Sequence, residues 1–449
     1  MSRRPQPSRV FSLNALPFWR LLVLLGALLL LSASSVGGAT SSATGPSHPI
    51  ATTAPSPFPT ETAPSVPLGT AYTPNQLRAV YGVAPLLGKG DTGKGQTVVL
   101  IESYGSPTLQ QDMNVFDQQF GLPAITINIL SPLGTVPFDP GNQEMIGWQG
   151  ETTLDAETVH AIAPGAAITV LTSPIDETEG VQGLPQFLQL EQYAVSHHLG
   201  TIISQSWAAS EVSLNNPAGK AIVAQMDAFY HTATTTQGIT FIGSTGDYGA
   251  ADCVVPDITF GGCQQYTPGQ SVTFPSSDPW VTAAGGTTLT INNTTFRESA
   301  WNGSNGGFSS FFSEPSYQQQ LPASVQSALQ HRRGTPDIAS SADPAFGLAI
   351  YTAGSWTVVG GTSAASPLWA GVTAIANQMA GHPLGFLNTR LYTVEASHSG
   401  ATAFNDVVTG NNNSPDAPVQ GYPATTGWDP VTGLGTPNAA VLLPALIAA

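Results

Sequence analysis

The chain of 449 residues has little charge, few basic side chains and almost no cysteine. Lys and Arg number 12 against 28 Asp and Glu, and charged residues make up only 9% of the sequence. A protein that grips a phosphate backbone needs a basic face, so nucleic-acid partners are not expected. Two cysteines, Cys253 and Cys263, exclude a disulfide scaffold and a cysteine-ligated zinc fold. No apolar run reaches the ~20 residues of a membrane span. A phosphate-binding loop is also missing. Residues 88–95 (GKGDTGKG) come close, but Gly95 stands where a magnesium-ligating Ser or Thr would be, and the segment precedes its strand. A hydrophobic fraction of 41% excludes disorder throughout.

What is present begins with an export signal. Arg3, Arg4, Arg9 and Arg20 precede the apolar run 21–31 (LLVLLGALLLL), and small residues follow, the order of a secretory leader. Residues 1–39 are therefore read as a signal peptide, and the mature protein as secreted and extracellular, without stable membrane association. Removing them leaves 8 basic residues against 28 acids, a formal net charge of −20. Residues 40–69 are mostly Ser, Thr, Pro and Ala, which reads as a disordered tether. From residue 70 to 449 the pattern is that of one domain. In an oxidising compartment Cys253 and Cys263 could form a local disulfide, and two free buried thiols are the alternative.

Strand-like runs at 97–102, 124–130, 167–172, 201–204 and 239–243 alternate with helical ones at 108–120, 151–163, 184–197 and 219–233. Such alternation predicts an α/β fold with a mostly parallel sheet flanked by helices. Ligands of such sheets gather at the carboxyl ends of the strands.

The sharpest motif is Gly360-Gly-Thr-Ser-Ala-Ala-Ser-Pro367, followed by a helical run at 368–379. A Ser on a glycine-rich turn at a helix start lies in the helix's positive end, which favours a nucleophilic alkoxide, so Ser363 is the candidate nucleophile. None of the eight histidines lies in a His-Gly-Thr-His type of segment that would supply a histidine base. Glu151 and Asp155 instead stand four apart, on one face of a helix whose neighbours Leu154, Val159 and Ile162 suggest burial. Buried together, two carboxyls would share a proton.

From about Tyr72 to Pro437 the sequence resembles the sedolisins, or serine-carboxyl peptidases. The resemblance is carried by the segments around Glu151, Asp155 and Ser363, by 277–287 (SDPWVTAAGGT), by 335–339 (TPDIA) and by 243–249 (GSTGDYG). It implies a subtilisin-like fold in a single catalytic domain, with Glu151 taking the proton of Ser363 and Asp155 orienting Glu151. Glu102 and Trp207 would extend this network. Asp247 would serve the oxyanion hole, a role it can fill only when protonated. A base of ordinary pKa ~4.3 works where imidazole is already protonated, so acid action is expected. Low charge suits such a setting, because few basic residues limit self-repulsion once the carboxylates protonate.

The resemblance further implies one structural Ca2+, held by the side chains of Asp406 and Asp429 and the carbonyls of Val407, Thr425 and Gly427, with Thr425 standing where relatives have Gly. It also implies a folded prodomain, for which the sequence before residue 70 has no room, so a separate prodomain-like chain or unaided folding is expected. The overall expectation is a monomeric, secreted, acid-acting endopeptidase with protein or peptide substrates. A non-catalytic peptide-binding relative is the alternative, and it would show a lost Ser, Glu or Asp.

Overall fold

Alternating apolar segments of five to seven residues, buried on both faces, make a central sheet between two layers of helices. The computed structural model describes residues 48–49, 71–176, 183–257, 262–397, 400–417 and 419–449. The signal peptide and nearly all of the 40–69 segment lie outside these residues.

The strands of the sheet are β1 (His48–Pro49), β2 (Thr97–Ser103), β3 (Asn128–Leu130), β4 (Ala167–Ser173), β5 (Ile202–Gln205), β6 (Thr240–Ser244), β7 (Thr282–Asn292), β8 (Thr295–Ala300) and β9 (Ile338–Ser341). Their order is β1-β8-β7-β6-β5-β2-β4-β3, with β9 beside β7. From β7 to β3 every pairing is parallel, as is β7 with β9; β8 and β1 add antiparallel at one edge. His48 and Pro49, read from composition as part of a tether, are thus an edge strand opposite Phe296 and Thr295. The ring of His48 stacks on that of Phe296.

Helices α1 (Leu109–Phe120), α2 (Gln143–Ile162), α3 (Leu184–Ser196), α4 (Pro217–Gln237) and α5 (Thr362–Ala380) cover the sheet. Leu154, Val159 and Ile162 of α2 and Leu368, Val372 and Ile375 of α5 share one apolar core. Phe187 and Leu190 of α3 and Val223, Met226 and Tyr230 of α4 share another, together with Trp207. Helix α5 crosses α2 closely at Gly371, where a Cβ would lie 2.9 Å from that of Ile162. Ser366 bonds the Ser204 hydroxyl at 2.8 Å and the Ile242 carbonyl at 3.1 Å, and so pins α5 to β5 and β6.

Several boundaries differ from the sequence reading. Helix α2 begins at Gln143 rather than 151, because the Asn142 side chain caps it by accepting the amides of Glu144 and Met145. Gly147 and Gly150 inside it hide the helical signal. The strand read at 124–130 is confined to 128–130, the residues that reach β4. Cys253 and Cys263 are joined in a disulfide across the hairpin of strands Cys253–Asp257 and Gly262–Tyr266. Among the described residues no helix is long and apolar enough to cross a membrane.

Candidate active site

The carboxyl ends of β2, β5 and β6 meet the middle of α2 and the first turn of α5. Glu102 is the penultimate residue of β2, and Glu151 and Asp155 lie a turn apart on α2. Ser363 is the second residue of α5, and Asp247 stands three residues beyond β6. Glu102 and Asp155 are fully buried. Ser363, Glu151 and Asp247 are partly exposed, which leaves the candidate nucleophile and two of the carboxyls open to a ligand.

Burial is the largest influence on all of these carboxyls. It pushes Glu102, Glu151 and Asp155 well above the ordinary carboxylate range. Glu151 adds to the rise at Glu102, Asp155 to that at Glu151, and Glu102 to that at Asp155. Hydrogen bonding to Ser363 opposes the rise at Glu151, and hydrogen bonding to Ser206 opposes it at Asp155. The three acids thus form a coupled chain, Glu102–Asp155–Glu151, ending at the Ser363 hydroxyl.

Among the described residues Glu102 Oε1, Glu151 Oε1 and both oxygens of Asp155 are buried and make no hydrogen bond of good geometry. Thr152 Oγ1 reaches Glu102 Oε2 at only 3.4 Å. An ionised carboxylate accepts and cannot donate, so two facing carboxyls are satisfied only when a proton lies between them. Buried oxygens left without partners are costly, and protons held within the chain remove that cost.

Local sequence explains the exposure of Ser363. Gly361 caps α5 with φ of +109°, and a Cβ there would stand 2.6 Å from Asp247 Oδ2. Pro367 has no amide hydrogen, so the carbonyl of Ser363 loses its usual donor four residues on. Ser206, just beyond β5, fills the gap: its hydroxyl donates to the Ser363 carbonyl at 3.1 Å. Asp247 is anchored to the same turn, accepting the Thr362 amide at 2.7 Å and the Thr362 hydroxyl at 2.9 Å on Oδ1. Burial raises the pKa of Asp247, and the two Thr362 donors oppose the rise.

Ser363, Glu151, Asp155, Asp247 and Glu102 are therefore brought to one place by β2, α2, α5 and the loop after β6. Trp207 does not complete the network. Its indole packs edge-on against Phe187 at 4.7 Å between ring centres, and its buried N–H makes no hydrogen bond. Sequence reasoning assigned no role to Ser206 or Thr362. The signals were Pro367, which frees the carbonyl that Ser206 takes, and the placing of Thr362 beside Ser363.

The candidate cation site is formed from two loops. Asp406 Oδ2 accepts the Gly427 amide at 2.9 Å, while Asp406 Oδ1 is buried without a partner. Asp429 Oδ2 accepts the Thr425 amide at 3.0 Å. Among the described residues the carbonyls of Val407, Thr425 and Gly427 accept no hydrogen bond, and Thr425 does not adopt a positive φ. An orphaned carboxylate oxygen and three uncommitted carbonyls in these loops are the donor types that a hard, oxygen-preferring cation takes. Asp429 already accepts from Val431 and Thr432 as well, so it would ligate by giving up one of these donors. No group of three or more His, Cys, Asp or Glu among the described residues is placed to hold a metal.

No family model matches the chain. Kumamolisin of Bacillus sp. (strain MN-32) is 33% identical over 392 residues, covering 84% of this chain and 64% of the relative. Sedolisin of Pseudomonas sp. (strain 101) is 31% identical over 397 residues, covering 85% and 62%. The chain thus spans just under two thirds of the length of these curated relatives. Among solved structures, Pseudomonas sedolisin, described as a serine-carboxyl proteinase and complexed with pseudo-iodotyrostatin, superposes with a TM-score of 0.69 at 29% identity, covering 86% of this chain and 99% of that one. With the nucleophile turn, the carboxyl chain and the parallel sheet all in place, the chain belongs to the sedolisin family.

Proposed function

We propose that this protein is a serine-carboxyl peptidase that hydrolyses peptide bonds in acid through an acyl-enzyme on Ser363. The carrying observation is the chain of buried, mutually coupled carboxyls that ends at the Ser363 hydroxyl. Glu151 takes the hydroxyl proton as Ser363 attacks the scissile carbonyl, and Asp155 and Glu102 spread that proton along the chain. Asp247, protonated, and the amide of Ser363 donate to the oxyanion. Protonation of the leaving amine from Glu151 frees the first product, and water then releases the acyl group by the reverse sequence of transfers.

Protein or peptide chains are the substrates, and endopeptidase action by a secreted monomer is the reading carried over from the sequence. Calcium would be held by Asp406, Asp429 and the carbonyls of Val407, Thr425 and Gly427, where it would tie the two loops together without entering the chemistry. The test is cleavage of a denatured protein from pH 2 to 8 with Ser363→Ala alongside. Activity confined to the acid range and abolished in the variant is expected, a loss of up to about a millionfold in kcat. A neutral optimum, or full activity in Ser363→Ala, refutes the proposal.

A further inference from the structure

The two oxygens of Asp247 are not equivalent. Oδ1 accepts two hydrogen bonds, both from residue 362: its amide at 2.7 Å and its hydroxyl at 2.9 Å. Oδ2 accepts none among the described residues and lies over Gly361, where even a Cβ would approach it to 2.6 Å. The direction of the Thr362 hydroxyl is also decided. Its oxygen accepts the Gly246 amide at 2.9 Å, and an amide can only donate. The hydroxyl hydrogen is therefore free to point at Asp247 Oδ1, and no other acceptor competes for it.

A carboxylic acid has one hydroxyl oxygen and one carbonyl oxygen. A proton on Oδ1 would face two donors and leave them unsatisfied in a largely buried site. A proton on Oδ2 leaves both Thr362 bonds intact and stands above the turn that carries Ser363. We infer that Thr362 is a positioning residue which makes Oδ1 the acceptor of Asp247 and so presents the acid proton on Oδ2, beside the nucleophile turn. Thr362 acts through Asp247 and not on the substrate, and its hydroxyl links that carboxyl to the backbone of its own loop at Gly246. Gly246, with φ of +97°, turns the chain so that its amide meets the hydroxyl. The value of this geometry for catalysis rests on the proposed role of Asp247 in the oxyanion hole.

Other titratable groups bear on Asp247 from two directions. Glu151 faces it from α2, and Tyr248 follows it on the same loop. Both are common to the parent protein and to Thr362 variants, so a difference between the two isolates the hydroxyl. Losing a donor to the ionised form favours the protonated form, so Asp247 in Thr362→Val should hold its proton to higher pH.

The experiment has two arms. In the first, the Asp carboxyl carbons are labelled with 13C in the Ser363→Ala protein and titrated by NMR, with Asp247→Asn assigning the signal. Thr362→Val should raise the apparent pKa of Asp247 by about one unit, the worth of one hydrogen bond to a charged group, and Thr362→Ser should leave it in place. In the second arm, with Ser363 intact, Thr362→Val should lower kcat by roughly ten- to a hundredfold, less than loss of a donor itself. KM should stay within about twofold and the alkaline limb of the pH–rate profile should move upward, with Thr362→Ser restoring both. An unchanged Asp247 titration in Thr362→Val overturns the inference. So does a loss of kcat with no displaced limb that Ser fails to rescue. Absence of peptidase activity in the parent protein would instead overturn the proposed function, while the NMR arm still decides the role of Thr362.

Discussion

Glu191 of α3 is fully buried outside the Glu102–Asp155–Glu151 chain, and it tests whether buried carboxyls in this protein hold protons. Its Oε1 accepts the Tyr230 hydroxyl at 3.0 Å and the Gln205 side-chain amide. Two atoms of the cluster are left without partners, Glu191 Oε2 and Gln205 Oε1. A proton on Oε2 would join them, closing a paired acid–amide ring. Burial, the largest cause, pushes the Glu191 pKa from 4.5 to about 8. The folded state therefore binds this proton more tightly than the unfolded chain does. Its contribution to stability is complete below about pH 4.5 and is lost as pH rises through about 8. At about 1.4 kcal/mol per unit, the loss is about 3 kcal/mol by pH 7 and nears 5 kcal/mol above pH 8.

The perturbation is Glu191→Gln. The new amide can accept from Tyr230 and Gln205 and donate to Gln205 Oε1, but it cannot ionise. Urea unfolding, followed in a Ser363→Ala background to prevent self-digestion, should give similar stabilities at pH 4. At pH 8 the variant should exceed its parent by several kcal/mol, seen as a smaller fall in unfolding midpoint between the two conditions. Identical pH dependence in the two proteins would refute the reasoning, because it would mean that Glu191 is either ionised at no cost or solvated in the folded state.

Further outcomes follow from the site. Gly361→Ala should keep the fold but lower kcat by about a hundredfold or more, since the added methyl meets Asp247 Oδ2 at 2.6 Å and sits at an unfavourable φ; steady-state kinetics with a thermal melt check this, and unchanged kcat counts against the oxyanion assignment. Calcium at about a hundred times its dissociation constant should stabilise the protein by about 3 kcal/mol. Chelation should lower the melting temperature accordingly, and Asp406→Asn should abolish the response.

Much of the chemistry was legible along the chain because it depends on local spacing. Glu151 and Asp155 fall on one helix face at four residues apart, whatever else surrounds them. Gly360-Gly361 before Thr362-Ser363 marks a tight turn into a helix by its lack of side chains. The strands β2, β4, β5 and β6 announce themselves because buried parallel strands are short, continuous apolar runs. Strand β7, TAAGGTTLTIN, carries no such signal: its Ala, Gly and Thr are buried by what packs against them. Trp207, expected to extend the carboxyl network, packs in the core with its indole N–H unbonded among the described residues.

By itself, then, the sequence determined which groups could react and which of them are neighbours along a helix or turn. The tertiary structure alone decided their protonation and their support. Glu102 meets Asp155 across 53 residues, and Ser206 reaches the Ser363 carbonyl across 157. Whether a carboxyl oxygen is left without a donor depends on every chain segment that closes over it. Desolvation and hydrogen-bond satisfaction are sums over such distant contacts, and no local pattern records them.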